Sequence, residues 1–254
     1  DAFGAVGDGV TDDTDAIQAA IDFAGENNLR ILSFRHGRSY KITRRLNIDK
    51  EVSLHGNGAH LMCYVEKGHF LLVKGSYEDE IQLSEKASAT AGTWNSVNIK
   101  LTKEHNYQPG DRIVIQSQRD ALSEDSGLYW CGTPTAATNT CQFAEVLQVN
   151  KVISDTEIQC VGTLVYPYYY PDREDGVDVS TQPIQREHST VRKVNFLNGI
   201  VIKDFKIDAY GESDNLTGRY DNTMIMFACA DSVIKNVHLV KHRGQRIDMY
   251  QIIE

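Results

Sequence analysis

Asp208, Glu212 and Asp214 bring three carboxyl groups together at the end of the strand-like run Phe205–Asp208 and in the polar stretch Tyr210–Asn222. Hydrolysis of a glycosidic bond needs two carboxyl groups flanking it, ~5–5.5 Å apart for retention and ~6.5–9.5 Å apart for inversion. In stacked parallel strands, equivalent positions lie ~4.8 Å apart and residues two apart on one strand ~6.6 Å apart. Acids at a strand end and in the loop after it can therefore form such a pair. Asp221 closes the same loop, and Asp248 in a later strand-like run is a further candidate.

A lyase would use different chemistry, a base that takes the proton α to a uronate carboxyl. His242, Arg243 and Arg246 in Lys241–Arg246 suit that role, and they form the compact basic patch that an acidic polymer would need. Sugar rings stack on aromatic faces. Tyr129 and Trp130, and the run of Tyr166, Tyr168, Tyr169 and Tyr170, are concentrations able to supply them. The five cysteines are odd in number and widely spaced, with neither a CxxC pair nor a Cys/His cluster, so no structural zinc site and no cofactor is expected. Cys131 and Cys141 flank one loop and could bridge. Asn215 opens a formal glycosylation sequon, relevant only to a secreted eukaryotic chain.

Charge narrows the partners. The net charge of the 254 residues is −9, which argues against nucleic acid, since phosphate backbones are bound mainly by Lys and Arg. No apolar run approaches the ~20 residues that span a bilayer, so no membrane insertion is expected. No signal peptide is visible, and the chain starts at Asp1 without an initiator Met. It stops inside the strand-like run Arg246–Glu254, and further strands are expected beyond it.

One helix is predicted. Ile17, Ala20, Ile21 and Ala24 recur at i, i+3, i+4 and i+7. Asp8, Asp12 and Asp13 are expected to cap it, Gly25 sits where it should stop, and the acidic cluster with Asp15 is read as structural rather than as a calcium site. Almost everything afterwards reads as short Val/Ile-rich strands separated by Gly, Asn and Asp, which excludes a doubly wound α/β fold.

Two segments align with each other. Ile202, Phe205 and Ile207 fall opposite Ile234, Val237 and Leu239, and Asp204 falls opposite Asn236. A strand, a polar bend and a second strand make one rung of a solenoid, because Asp and Asn accept the left-handed backbone of the bend. The predicted fold is all-β, a right-handed parallel β-helix (solenoid) with an N-terminal capping α-helix and an all-β insertion. The expected divisions are residues 1–83 for the helix and first rungs, 84–170 for an all-β insertion or elaborated rungs, and 171–254 for further rungs.

The opening Phe3–Asp22, continued through Tyr40–Leu61, closely resembles the N-terminal signature of the pectate-lyase-like β-helix superfamily. The stretches 109–120, 127–135 and 143–149 look like the corresponding parts of bacteriophage tailspikes of the depolymerase kind. This resemblance implies a tailspike that depolymerises a bacterial surface polysaccharide, capsule or O-antigen, by hydrolysis. It also implies a homotrimer on the virion tail. The alternatives are an extracellular, secreted bacterial lyase or glycosidase of the same fold, and a non-catalytic glycan-binding adhesin, because one fold hosts many functions. Polygalacturonase motifs are missing: there is no late Asp-Asp pair and no Gly-His-Gly, and Arg246–Asp248 only partly matches the Arg-Ile-Lys of those enzymes.

Overall fold

The computed structural model describes residues 2–65, 69–85, 87, 96–116, 144–162, 164, 189–209, 224–240 and 247–253. They form two units, Asp1–Ser76 with Phe196–Glu254, and Tyr77–Asn195. From the N-terminus the first unit contains β1 (Asp8–Asp12), α1 (Thr14–Glu26), β2 (Ile31–Ser33), β3 (Ser39–Ile42), β4 (Leu46–Ile48), β5 (Ser53–Cys63) and β6 (Leu71–Lys74). The chain continues with β7 (Ser76–Tyr77), β8 (Ile81–Gln82), β9 (Ser96–Lys100), β10 (Arg112–Gln116), β11 (Ala144–Ser154), β12 (Glu157–Val161) and β13 (Thr190–Asn195). It ends with β14 (Leu197–Asn198), β15 (Val201–Ala209), β16 (Met224–Ala230), β17 (Val233–Val240) and β18 (Ile247–Ile253).

In the first unit the chain alternates between two parallel sheets. One runs β1-β3-β5-β15-β17, with β2 also on β5. In the other, β6 lies between β4 and β16, and β16 also pairs with β14 and β18. Each strand of the first sheet from β3 onward is followed in sequence by one of the second, and the two sheets keep the same order. Alternation explains the shared core. Ile42, Leu54, Ala59, Leu61, Ile202, Phe205 and Ile207 turn inward from one sheet, and Leu46, Ile48, Leu71, Val73, Met224 and Met226 from the other.

The two aligned segments pair in the expected register, with Ile202 opposite Ile234, Phe205 opposite Val237 and Ile207 opposite Leu239. Between them, Asp204 and Asn236 take φ values of 61° and 51°, and Asn236 Nδ2 donates to Asp204 Oδ1 at 2.8 Å. Asn57 on β5 bends likewise, at φ 50°. Asn and Asp tolerate this backbone better than other side chains, and here Asp204 and Asn236 bond to each other across neighbouring strands. Gly56 is required here by space, because a Cβ would lie 2.4 Å from the Asp204 carbonyl oxygen and 2.6 Å from Phe205 Cδ1.

The helix buries Ile17, Ala20, Ile21 and Ala24, as the spacing predicts, and packs against β4 and β2. Its acids act differently from the expectation. Asp13 is the N-cap residue, yet its carboxylate turns back to accept from the Val6 and Gly7 N–H groups instead of capping. Asp8 accepts from the Val10 and Thr11 N–H groups, outside the helix. Asp12 alone of the three bonds a helix N–H, that of Thr14. Asp12 also accepts from the Thr43 hydroxyl, and Arg44 pairs with Asp15, so the acids fasten the helix start to the turn after β3. The helix runs one residue past Gly25, and the left-handed residue after its end is Asn28, at φ 55°.

The second unit is antiparallel. Its sheet runs β7-β13-β10-β11-β12-β9, with β8 also on β13. Leu83, just after β8, bridges Leu101, just after β9, so the sheet closes on itself around Leu83, Ile99, Ile113, Ile115, Ile158 and Val191. Closure removes the open edges of the sheet.

Candidate functional site

The site follows from what alternation leaves outside the first sheet. Where Ile202, Phe205 and Ile207 point inward, Lys203, Lys206 and Asp208 fall on the outer face. Register stacks these positions in columns. Ser33, His55, Lys203 and Lys235 form one. Ser39, His60, Lys206 and His238 form the next, and Lys41, Met62, Asp208 and Val240 the third.

Asp208 breaks the pattern of this face, being only 3% exposed. A carboxylate that deep needs cationic partners. Lys206 Nζ lies 3.5 Å from Asp208 Oδ2, and His60 Nε2 lies 3.0 Å from the same oxygen, close enough for an ion pair when protonated but outside hydrogen-bond alignment. Directly beneath, Cys63 faces the core, where burial and then the Asp208 charge hold its thiol well above the usual range. Burial and then Lys203 push the His55 imidazole below its ordinary value. A buried carboxylate beside an imidazole and an ammonium can accept a proton, attack an electron-poor carbon or steady a developing positive charge.

Of the expected catalytic acids, Asp208 is in this site, while Glu212, Asp214 and Asp221 lie outside the described residues. Asp248 sits on β18, in backbone register with Ile225. Tyr129, Trp130, Tyr166, Tyr168, Tyr169, Tyr170, His242, Arg243 and Arg246 also lie outside the described residues, as do Cys131, Cys141 and Asn215. The residues sequence reasoning missed are His60, Lys206, Lys203, Lys235, His55 and His238. For Lys203, Lys235, Lys206 and His238 a signal was present in the aligned pair, where Lys203 falls opposite Lys235 and Lys206 opposite His238, whereas His55 and His60 join only through the pairing of β5 with β15.

The second unit offers an open depression of about 650 Å³ lined by Glu78, Asp79, Lys103, Glu104, His105 and Tyr107. Its aromatic pair is stacked at 5.0 Å between centroids, but Tyr107 is 2% exposed and presents no face to a sugar ring.

Residues 1–105 match the family model described as rhamnogalacturonase A/epimerase, pectate lyase-like. Over that stretch, less than half of the 254 residues, the chain is similar to this family. That agrees with the resemblance carried by Phe3–Asp22. No curated protein matches the chain. Among solved structures, the chain is similar to the tailspike protein gp49 from Pseudomonas phage LKA1, with a TM-score of 0.50 and 15% sequence identity. The likeness covers 93% of this chain and 41% of that one, so this chain spans less than half of the tailspike's length. At that identity the likeness is one of fold: β-rich, with a single helix among the described residues.

Proposed function

We propose that this chain belongs to a phage tailspike that recognises a bacterial surface polysaccharide, capsule or O-antigen, and depolymerises it by hydrolysis on the outer face of the β5-β15-β17 sheet. The observation that carries the reading is Asp208, a buried carboxylate held by His60 and Lys206 on a face where alternation calls for an exposed side chain. Burying a charge is costly unless it is paired, so a carboxylate buried and paired with two cationic groups on this face asks for a functional reason. The pectate-lyase-like opening and the tailspike fold support a polysaccharide as the ligand.

In the proposed architecture the first unit is a right-handed parallel β-helix, α1 covers its first rungs, and the antiparallel unit is an insertion between β6 and β14. Three copies form the spike on the virion tail. Asp208 is one member of the catalytic pair, with Glu212 or Asp214 in the following loop as the other. Tyr129, Trp130, Tyr168, Tyr169 and Tyr170 bind sugar rings.

His60 and Lys206 favour a second reading. An imidazole and an ammonium beside one another could serve the proton abstraction of a lyase. Incubation of the full-length protein with purified host polysaccharide separates the two. Hydrolysis yields new reducing ends without unsaturated-uronate absorbance, and elimination yields both. Measurable binding with unchanged polymer length would leave only an adhesin.

A further inference from the structure

The two carboxyl groups of a catalytic pair need opposite surroundings. One enters the reaction ionised, to take a proton or attack carbon, and the other enters protonated, to give a proton to the leaving oxygen. A cation within ~4–6 Å favours the ionised form of a carboxyl group, whereas burial or a second carboxylate favours the protonated one. The neighbours of Asp208 can be read on this scale. Its side chain is only 5% exposed, which counts against the charge. Its oxygen Oδ2 nevertheless lies 3.5 Å from Lys206 Nζ and 3.0 Å from His60 Nε2.

Register shows how little negative charge stands against these two groups among the described residues. The column of Asp208 holds Met62 on β5, Lys41 on β3 and Val240 on β17. The next column holds Ser39, His60, Lys206 and His238. Both columns end in an acid on β1, Asp12 beside Lys41 and Asp8 beside Ser39. From β15 to β1 is three strand spacings, ~14 Å, beyond the ~8–10 Å over which exposed charges act at physiological salt. Both acids are also engaged locally, Asp8 by the Val10 and Thr11 N–H groups and Asp12 by Thr14 and Thr43. On β15 itself, Asp204 accepts the Asn236 amide and lies 4.0 Å from Lys203. Beneath the site, burial and then the Asp208 charge hold the Cys63 thiol well above its usual range, so it stays neutral.

We infer that His60 and Lys206 are positioning residues that keep Asp208 ionised, so that Asp208 is the base or nucleophile of the pair and the leaving group takes its proton from another carboxyl group. His60 is 21% exposed against 47% for Lys206, so water screens its charge less and its loss should be felt more. This rests on the reading that Asp208 belongs to a catalytic pair, and it assigns the role of Asp208 within it.

Two measurements on the full-length protein test the inference. Infrared difference spectra against Asp208→Asn follow the Asp208 carboxyl band through a pH titration without any substrate. The midpoint should rise by about one pH unit or more in His60→Gln and Lys206→Gln, and stay near wild type in Lys206→Arg. Circular dichroism establishes that the variants fold. Reducing-end assays then give kcat/KM against pH on a host polysaccharide. A base or nucleophile works only when ionised, so the acid limb of the profile should rise with the midpoint. A general acid works only when protonated, so the alkaline limb would rise instead. An unmoved midpoint overturns the positioning role of His60 and Lys206. A moved midpoint with a shifted alkaline limb, or with neither limb shifted, overturns the role given to Asp208. A moved midpoint in a protein that cleaves no polysaccharide leaves the positioning standing and overturns the catalytic reading beneath it.

Discussion

His60 Nε2 lies 3.0 Å from Asp208 Oδ2, although the two residues are not register partners. On adjacent parallel strands His60 stands opposite Lys206, and Asp208 opposite Met62. The imidazole therefore reaches diagonally across the sheet to a carboxylate two positions further along the neighbouring strand. Lys206 lies on the Asp208 side of the same strand and completes the arrangement at 3.5 Å.

This arrangement makes opposite demands on activity and stability. Asp208→Asn keeps the volume and removes the charge, so depolymerisation should fall by about 10²-fold or more while the unfolding midpoint moves little. His60→Leu leaves the buried carboxylate with Lys206 alone among these two cations, and should cost about 1–3 kcal/mol of stability. Reducing-end assays and urea unfolding of the two variants read these effects separately. An Asp208→Asn variant with full activity would remove Asp208 from the chemistry.

Gly56 can be tested independently of any ligand. A Cβ there meets the Asp204 carbonyl oxygen at 2.4 Å, and backbone cannot move aside as a flexible side chain can. Gly56→Ala should destabilise the protein by about 1–3 kcal/mol through overpacking. The same variant at Gly37, where nothing lies within 4 Å of the added Cβ, should be affected only by its φ of 66°. Thermal unfolding of the pair compares them, and equal losses would contradict the close approach of β5 and β15.

Acid should loosen the start of α1. Burial raises the Asp12 carboxyl, but the Thr14 and Thr43 hydroxyls and the Thr14 N–H outweigh it and hold the group below its ordinary 3.8. Because the folded-state value is depressed, the stabilisation is fully present above the unfolded value and is lost as pH falls through the folded one. Asp12→Asn should therefore lower stability at neutral pH by about 1 kcal/mol and flatten the pH dependence below about pH 5. Chemical denaturation at stepped pH values checks both, and an unchanged acid limb would show that Asp12 fastens nothing.

The described thiols should be inert in the native protein. Cys160 and Cys229 are pushed up to about 12 by burial, and Cys63 well above its usual range by burial and the nearby Asp208 charge. Thiolate is the reactive form. Iodoacetamide at pH 8 should leave all three unlabelled until denaturant is added, as read by peptide mass mapping. Labelling of native Cys63 would contradict the closed core beneath Asp208.

Periodicity carried the parts of the fold that depend on burial. Ile17, Ala20, Ile21 and Ala24 mark one helical face whatever surrounds it, and they are buried. The likeness between the segments around Asp204 and Asn236 revealed their register, because a left-handed bend tolerates few residue types and so leaves a mark in the sequence. The roles of Asp8 and Asp13 were not legible, since a short acid near a helix start can bond forward into the helix or backward into the entering chain with equal ease. The site was legible only in Asp208. His60 lies 148 positions earlier in the chain, and only the pairing of β5 with β15 brings it there. Charge columns likewise belong to register between strands rather than to any one strand, which is why Lys203 and Lys235 do not stand out when read singly.

The most direct measurement is a crystal structure of the full-length Asp208→Asn variant with an oligosaccharide released from the polymer that the wild-type protein cleaves. Sugar lying across the outer face of β5, β15 and β17, with a glycosidic oxygen or anomeric carbon in reach of position 208, is the predicted result. Sugar bound instead in the antiparallel unit, or on another face with position 208 empty of contacts, would contradict the account.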